Sequence, residues 1–295
     1  MHLPHRLIAP LSRWAAPHGP LAGAAGRLVR RITTRLSRRV ERALAAGGDP
    51  CLVELHGVSL RVPLPLATAL LSRRFDPLTI GRLRQHTRPG MTAVDVGAHV
   101  GFYTLLLARL VAPGGRVVAV EPAPANLDLL RRNLAPGAPV PIAVLAVAAG
   151  AQDGDRTLRL SDSSDTHSFY QHPLVGRTQP VLVAQRRLDH LLPTPPDVIK
   201  IDVEGAELEA LEGLEGVITP NSPRTILVEV NPACLAAAGS SPAALLGWLD
   251  RHGFGELELL DELAGVVHRG AEARRAALDP ERPNDWFANL LAARR

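Results

Sequence analysis

The sequence predicts an α/β fold with a doubly wound, mainly parallel sheet and helices on both faces. Three observations carry that prediction. From about residue 92 onward, short apolar runs of strand character alternate with segments of helical periodicity. The first of these runs ends in a glycine-bearing turn, Asp95-Val-Gly-Ala-His-Val-Gly101, that opens directly into a helix. The second run ends in Glu121-Pro122, twenty residues after Gly101.

Taken in order, residues 1–50 form a basic N-terminal arm. Its first 20 positions are rich in Pro, His and Gly. Residues 24–46 then place Leu28, Val29, Ile32, Leu36, Val40 and Leu44 close to a helical period with arginines between them, which predicts an amphipathic basic helix. Gly47-Gly48-Asp49-Pro50 breaks it. Residues 51–90 hold a hairpin about Gly57 (52–62) and a short helix (78–86) leading into the core. Residues 91–295 form the main domain. Strands are predicted over 92–96, 116–120, 141–148, 197–201 and 225–230, with helices over 102–110, 125–134, 206–214 and 242–252. Residues 256–260 and 286–291 supply two closing strands. The polar segment at about 153–185 interrupts this rhythm, as insertions that cover an active-site edge do.

Composition excludes several classes. Nine arginines in residues 1–50 face only Glu41 and Asp49, a net +7 that leaves −3 for the rest of a chain whose total is +4. A nucleic-acid partner is therefore not expected. The basic arm around residues 24–46 can instead contact a membrane surface or a protein partner peripherally. Cys51 and Cys234 make no disulfide framework, no signal peptide is evident, and the longest uncharged apolar stretch is too short to span a bilayer. A cytoplasmic location is expected. Arginine replaces lysine throughout except at Lys200.

The first constellation concerns a cofactor. In an open α/β sheet, ligands bind outside the carboxyl ends of the strands at the switch point. Gly97 and Gly101 allow a sharp turn, and a carboxylate at Glu121 can accept hydrogen bonds from both hydroxyls of a ribose. Two nucleoside cofactors compete. A dinucleotide fold would show G-x-G-x-x-G with pyrophosphate on a helix N-terminus. Here the spacing is G-x-x-x-G, and Asp95 would repel phosphate. S-adenosylmethionine, which carries an ammonium and a sulfonium and no phosphate, suits the acidic turn better. A nucleotide-dependent oxidoreductase using NAD(P) is the alternative, and a catalytically inactive docking module is a third reading.

The second constellation is Asp197-Val-Ile-Lys-Ile-Asp-Val-Glu-Gly-Ala-Glu207, an apolar strand interior with an acidic end. The two-residue spacing of Asp202 and Glu204 puts both side chains on one face if the strand persists. They can orient an acceptor hydroxyl, take its proton or hold a divalent ion; a metal is not predicted. Gly205 permits a turn into a helix whose N-terminus suits Glu207. Lys200 can pair with an acidic neighbour or steer substrate, and is counted with Asp202, Glu204 and His167 as a candidate catalytic residue. His167 lies in the insertion, where it is a candidate base or a surface-loop histidine. His86, His172 and His190 have no partner at metal-ligand spacing, and no Gly-x-Ser-x-Gly pattern points to covalent hydrolysis.

These residues resemble the FkbM family of methyltransferases. The likeness rests on Asp95-Val-Gly-Ala-His-Val-Gly-Phe-Tyr-Thr104, on Glu121-Pro122 with Asn126, on Ile199-Lys-Ile-Asp-Val-Glu-Gly-Ala-Glu207 and on Ile226-Leu-Val-Glu-Val230. It spans roughly residues 90–260, and His99 stands where the family has Asn. The resemblance implies a class I methyltransferase (Rossmann-like) fold and O-methylation of a hydroxyl on a sugar, glycan or secondary metabolite by S-adenosylmethionine. It implies cofactor contacts at Asp95, Gly97, Gly101, Tyr103, Glu121 and Asn126. It assigns no base; Asp202 is the candidate from strand geometry.

Overall fold

The computed structural model describes residues 50–63, 66–67, 70–71, 75–161, 166–170, 178–283 and 285–294. The basic helix expected over 24–46 lies outside the described residues. The chain divides into two compact units, Met1–Asp76 and Pro77–Arg295, so the division falls inside the 51–90 segment.

In the first unit, β1 (Cys51–Leu55) pairs antiparallel with β2 (Val58–Val62). The Leu55–Val58 pair closes a two-residue turn at His56 and Gly57, both with positive φ (52° and 84°), which the primed turns of hairpins require. Val58, Leu60 and Val62 are buried while Ser59 and Arg61 face out, a period of two that matches the sequence pattern.

The second unit begins with α1 (Pro77–His86) and runs through β3 (Thr92–Val96), α2 (Phe102–Leu110), β4 (Arg116–Val120), α3 (Pro124–Leu134) and β5 (Ile142–Leu145). A side sheet follows, made of β6 (Ala148–Ala149), β7 (Gly154–Ser161) and β8 (Thr178–Arg186). The chain then returns through β9 (Val198–Ile201), α4 (Glu207–Glu212), β10 (Thr225–Val230), α5 (Pro232–Ala237) and α6 (Pro242–Arg251). It closes with β11 (Glu256–Asp261), β12 (Val266–Arg269), α7 (Ala271–Ala277) and β13 (Ala288–Ala293).

The main sheet has the order β12-β11-β13-β10-β9-β3-β4-β5. From β5 to β10 every pairing is parallel, whereas β13 runs antiparallel between β10 and β11. The chain lays β4 and β5 on one side of β3, then crosses to lay β9 and β10 on the other. This reversal opens a crevice at the carboxyl ends of β3 and β9, where open α/β sheets bind ligands. Strands β9 and β10 are buried at every residue, as sheets covered on both faces demand. Their core includes Ile199, Leu211, Leu245, Trp248 and Phe254, each of which gains about 1.5–3 kcal/mol from burial.

Two expectations change here. The third strand, predicted over 141–148, ends at Leu145; Ala148–Ala149 leaves the main sheet and pairs with β8 instead. An unbroken apolar run gives no mark of that exit. The tail also contains β12 and α7, which short polar sequence did not reveal, and α5 was missed although Asn231 caps it by accepting the Cys234 N–H at 3.2 Å.

Candidate active site

Three strand ends build the site. At the end of β3, Asp95 is fully buried and accepts the Thr104 hydroxyl at 2.6 Å. Lys200, its register partner on β9, places Nζ 3.6 Å from Asp95 Oδ1 and 3.3 Å from Asp202 Oδ2, and 4.7 Å from the centre of the Tyr103 ring. Burial pushes the Asp95 carboxyl up, against the pull of Lys200 and Thr104. Burial also works against the Lys200 charge, but Asp202 and Asp95 overcome it and hold the ammonium above its ordinary pKa. The lone lysine is thus a core ion pair, 3% exposed, and does not reach the cavity wall.

The turn glycines serve packing. Gly97 has φ 79°, and a Cβ there would stand 1.9 Å from the Asp202 carbonyl oxygen. Gly101 has φ 98°, and its Cβ would meet Leu130 at 2.6 Å. Gly97 lines the cavity, but Asp95, Gly101 and Tyr103 stand behind its wall. Asp95 and Tyr103 contact Lys200, and Gly101 packs against Leu130.

At the end of β4, Glu121 is buried and fixed. Its Oε2 accepts the His99 N–H at 2.8 Å, and its Oε1 accepts the Ala123 N–H at 2.8 Å and Asn126 Nδ2 at 3.4 Å. His99 makes its bond from the left-handed region, with φ 51°. Burial raises the Glu121 pKa to about 7, opposed by the N–H bonds from Ala123 and His99.

At the end of β9, the strand stops at Ile201, so the alternation expected to align Asp202 with Glu204 does not continue. The two carboxylates come together through a turn in which Glu204 takes φ 53° and Gly205 takes φ 104°. A Cβ at Gly205 would lie 2.6 Å from the Cys234 carbonyl oxygen. Two left-handed non-glycine residues beside one cavity are the kind of strain that functional sites retain. Glu207 folds back from the start of α4 and accepts the N–H groups of Val203 and Gly205, both at 3.1 Å. It is fully buried, and burial raises its pKa to about 7.

This shift has a measurable sign. A carboxyl that ordinarily titrates near 4.5 but holds its proton to about 7 when folded favours the folded state at low pH. That stability is full below about pH 4.5 and is lost as pH rises through about 7. Glu207→Gln is expected to flatten the slope by up to about 1.4 kcal/mol per pH unit in that window. Urea unfolding at pH 5.5, 6.5 and 7.5 measures it; identical slopes in parent and variant would contradict the assignment.

Reading the site from sequence left Glu229 without a role. It lies in the fully buried β10, 8% exposed, and its Oε2 has no hydrogen-bond partner among the described residues. Burial and the neighbouring carboxylates of Asp202, Glu204 and Glu207 raise its pKa well above the usual range. Its signal was a single carboxylate inside Thr225-Ile-Leu-Val-Glu-Val230, a strand otherwise suited to a core. Cys234 approaches Glu204 Oε2 at 3.7 Å, and burial followed by the nearby carboxylates keeps its thiol protonated.

The insertion closes the other side. Ser168 Oγ donates to the Glu204 carbonyl at 2.7 Å, Tyr170 bonds to Glu209, and Arg156 pairs with Glu209 while covering the Phe169 ring at 4.2 Å. His167 lines the cavity, but the Ser161 N–H donates to its Nδ1 at 3.1 Å. That bond fixes the ring's orientation at the cavity. The cavity, about 120 Å³, gathers Gly97, Glu121, Asn126, His167, Asp202 and Glu204 from the expected residues. Val147, Ala148, Ala149, Leu158 and Phe169 also line it and were not foreseen.

The strand order and the crevice at the switch point define the class: a domain of the class I methyltransferase fold. Residues 95–255, more than half of the chain, match the methyltransferase FkbM domain. The chain belongs to that family. It is 29% identical to the 31-O-demethyl-FK506 methyltransferase FkbM of Streptomyces tacrolimicus, over 64% of this chain and 83% of that protein. It is 29% identical to Methyltransferase 1 of Beauveria bassiana, over 41% of this chain and 57% of that protein. With a protein-L-isoaspartate O-methyltransferase of Aeropyrum pernix the identity is 38%, over 36% and 42%. The chain thus spans less than two thirds of the last two. Among solved structures, a methyltransferase FkbM from Methylobacillus flagellatus aligns at 19% identity and a TM-score of 0.41, over 90% of this chain and 60% of that one. Among the described residues no helix is long and apolar enough to cross a membrane.

Proposed function

We propose that the protein transfers a methyl group from S-adenosylmethionine to a hydroxyl oxygen of a sugar, glycan or other secondary metabolite. One observation carries this reading. The cavity is lined by Glu121, Asp202 and Glu204 and, among the described residues, by no arginine or lysine. A dinucleotide's pyrophosphate would meet three carboxylates there, whereas a cationic nucleoside without phosphate meets attraction. The name of the Streptomyces relative, which refers to a 31-O-demethyl substrate, agrees with oxygen as the acceptor atom.

When bound, the cofactor supplies an electrophilic methyl on a sulfonium that becomes a neutral thioether. The chain's own residues do the rest. Glu121, held from behind by the His99 and Ala123 N–H groups, accepts the ribose hydroxyls. Val96, Val120, Ala148 and Ala149 form dry walls that hold donor and acceptor in line, where orientation lowers the barrier most. Asp202, at the open rim, takes the hydroxyl proton as the new C–O bond forms, and Glu204 orients the acceptor.

Calorimetric titration with S-adenosylhomocysteine tests the reading, with saturable binding as the expected result. Glu121→Ala is expected to weaken it about 100-fold or more, since charge-assisted hydrogen bonds contribute roughly 1.5–3 kcal/mol each. Binding of NADPH in place of S-adenosylhomocysteine would overturn the proposal in favour of an oxidoreductase.

A further inference from the structure

We propose that Asp202, Glu204 and Glu229 form a binding site for one divalent cation of the Mg²⁺, Mn²⁺ or Ca²⁺ type. Each offers one carboxylate oxygen, and all three oxygens lie within 4.8 Å of one another. Ions that bond oxygen at about 2.0–2.6 Å hold their ligand atoms no more than roughly 4–5 Å apart, so the cluster already has the span of a coordination shell.

A second observation points to a ligand independently of the clustering. Glu229 is more than nine-tenths buried, and its Oε2 lacks any hydrogen-bond partner among the described residues. A buried carboxyl oxygen left unpaired costs about 1–3 kcal/mol, so strands retain one where something occupies it. The neighbouring cation does not fill that need. Lys200 spends its ammonium on Asp95 and Asp202, at 3.6 and 3.3 Å. A divalent ion would place positive charge directly beside Asp202, Glu204 and Glu229, which Lys200 reaches only in part.

The donor set selects the ion. Three hard oxygen donors favour Mg²⁺, Mn²⁺ or Ca²⁺ over Zn²⁺ or Cu²⁺, and the one sulfur nearby, Cys234, stays a thiol that faces Glu204. Asp202 and Glu204 also line the cavity, so the ion would sit at its edge with positions open to a ligand. Its catalytic use rests on the methyl-transfer reading above. The acceptor's hydroxyl oxygen would bind the ion, lose its proton to water and attack the methyl carbon as an alkoxide while the carbon–sulfur bond breaks to leave a neutral thioether, with Asp202 then a ligand in place of a proton acceptor.

The test uses the full chain and Mn²⁺ alone, followed by electron paramagnetic resonance, with S-adenosylhomocysteine titrated separately into the same metal-free sample. One saturable Mn²⁺ site is expected, displaced by Mg²⁺ or Ca²⁺. Glu229→Gln and Asp202→Asn are each expected to weaken it by at least about 10–100-fold. Circular dichroism melts check folding, and the Mn²⁺-induced rise in Tm is expected to vanish in Glu229→Gln. No saturable Mn²⁺ binding, or binding equal in the parent and both variants, overturns the site. Neither result bears on S-adenosylhomocysteine binding, whose failure would instead sink the methyl-transfer reading and leave the ion site standing.

Discussion

Lys200→Met is expected to destabilise the protein by about 3–5 kcal/mol, the range for removing one partner of a buried ion pair. The reason lies in the register of two neighbouring strands. Asp95 on β3 faces Lys200 on β9, and both are almost wholly excluded from water. Methionine fits the volume under the Tyr103 ring but leaves the buried Asp95 carboxyl without its compensating cation, with the Thr104 hydroxyl as its remaining polar partner. Thermal unfolding should show a loss of roughly 8–15 °C. Adding Asp95→Asn to Lys200→Met should recover at least half of the loss, because the orphaned carboxyl is then gone. A lysine that merely steered substrate would leave Tm unchanged, and that outcome would refute the assignment.

Gly97→Ala is expected to cost a similar amount for a different reason. A left-handed backbone costs an L-residue about 1–2 kcal/mol. Beyond that, the new Cβ would stand 1.9 Å from the Asp202 carbonyl oxygen, a backbone atom with no flexible end to yield. Forcing the ends of β3 and β9 apart adds about 1–3 kcal/mol. Gly114→Ala separates the two contributions, since Gly114 has φ 83° and nothing within 4 Å of the added carbon. The expected ordering is a loss of about 1–2 kcal/mol at Gly114 and about 3–5 at Gly97 in urea unfolding. Gly97→Ala should also weaken S-adenosylhomocysteine binding at least about tenfold, because the same displacement moves Asp202 and the cavity floor. Equal losses at the two glycines would show that the close approach is not what fixes Gly97.

Periodicity made the alternating core legible because the covered strands are apolar throughout and the helices between them are not. The hairpin about Gly57, strands β3, β4 and β10 and the helix after Gly101 lie where the pattern put them. What the pattern lacks is the third dimension. Lys200 reads as a polar residue at a strand end, and only cross-strand register shows that it faces Asp95. The pairing of Asp202 with Glu204 was foreseen but attributed to strand alternation, whereas a left-handed Glu204 brings it about. Such a backbone choice is invisible when the residue is not glycine. Glu229 stood in plain view, yet its neighbours come from the turn after β9 and the start of α4, more than twenty residues earlier. The insertion was recognised by its polarity. That Arg156, Phe169 and Tyr170 anchor it on Glu209 depends on contacts that composition does not encode.

The position of β13 has a consequence for how the protein is made. Strand β11 reaches the parallel strands only through β13, which lies some thirty residues later in the chain. Until residues 288–293 have emerged from the ribosome, β10 is a bare edge, and its Ile226-Leu-Val228 run offers unpaired N–H and C=O groups to any passing strand. The nascent domain therefore passes through a sticky interval that ends when the last strand slides in. Chaperone demand during synthesis should concentrate in that interval, and fusions or truncations that hinder 288–293 should yield insoluble protein even when every residue of the cavity is intact.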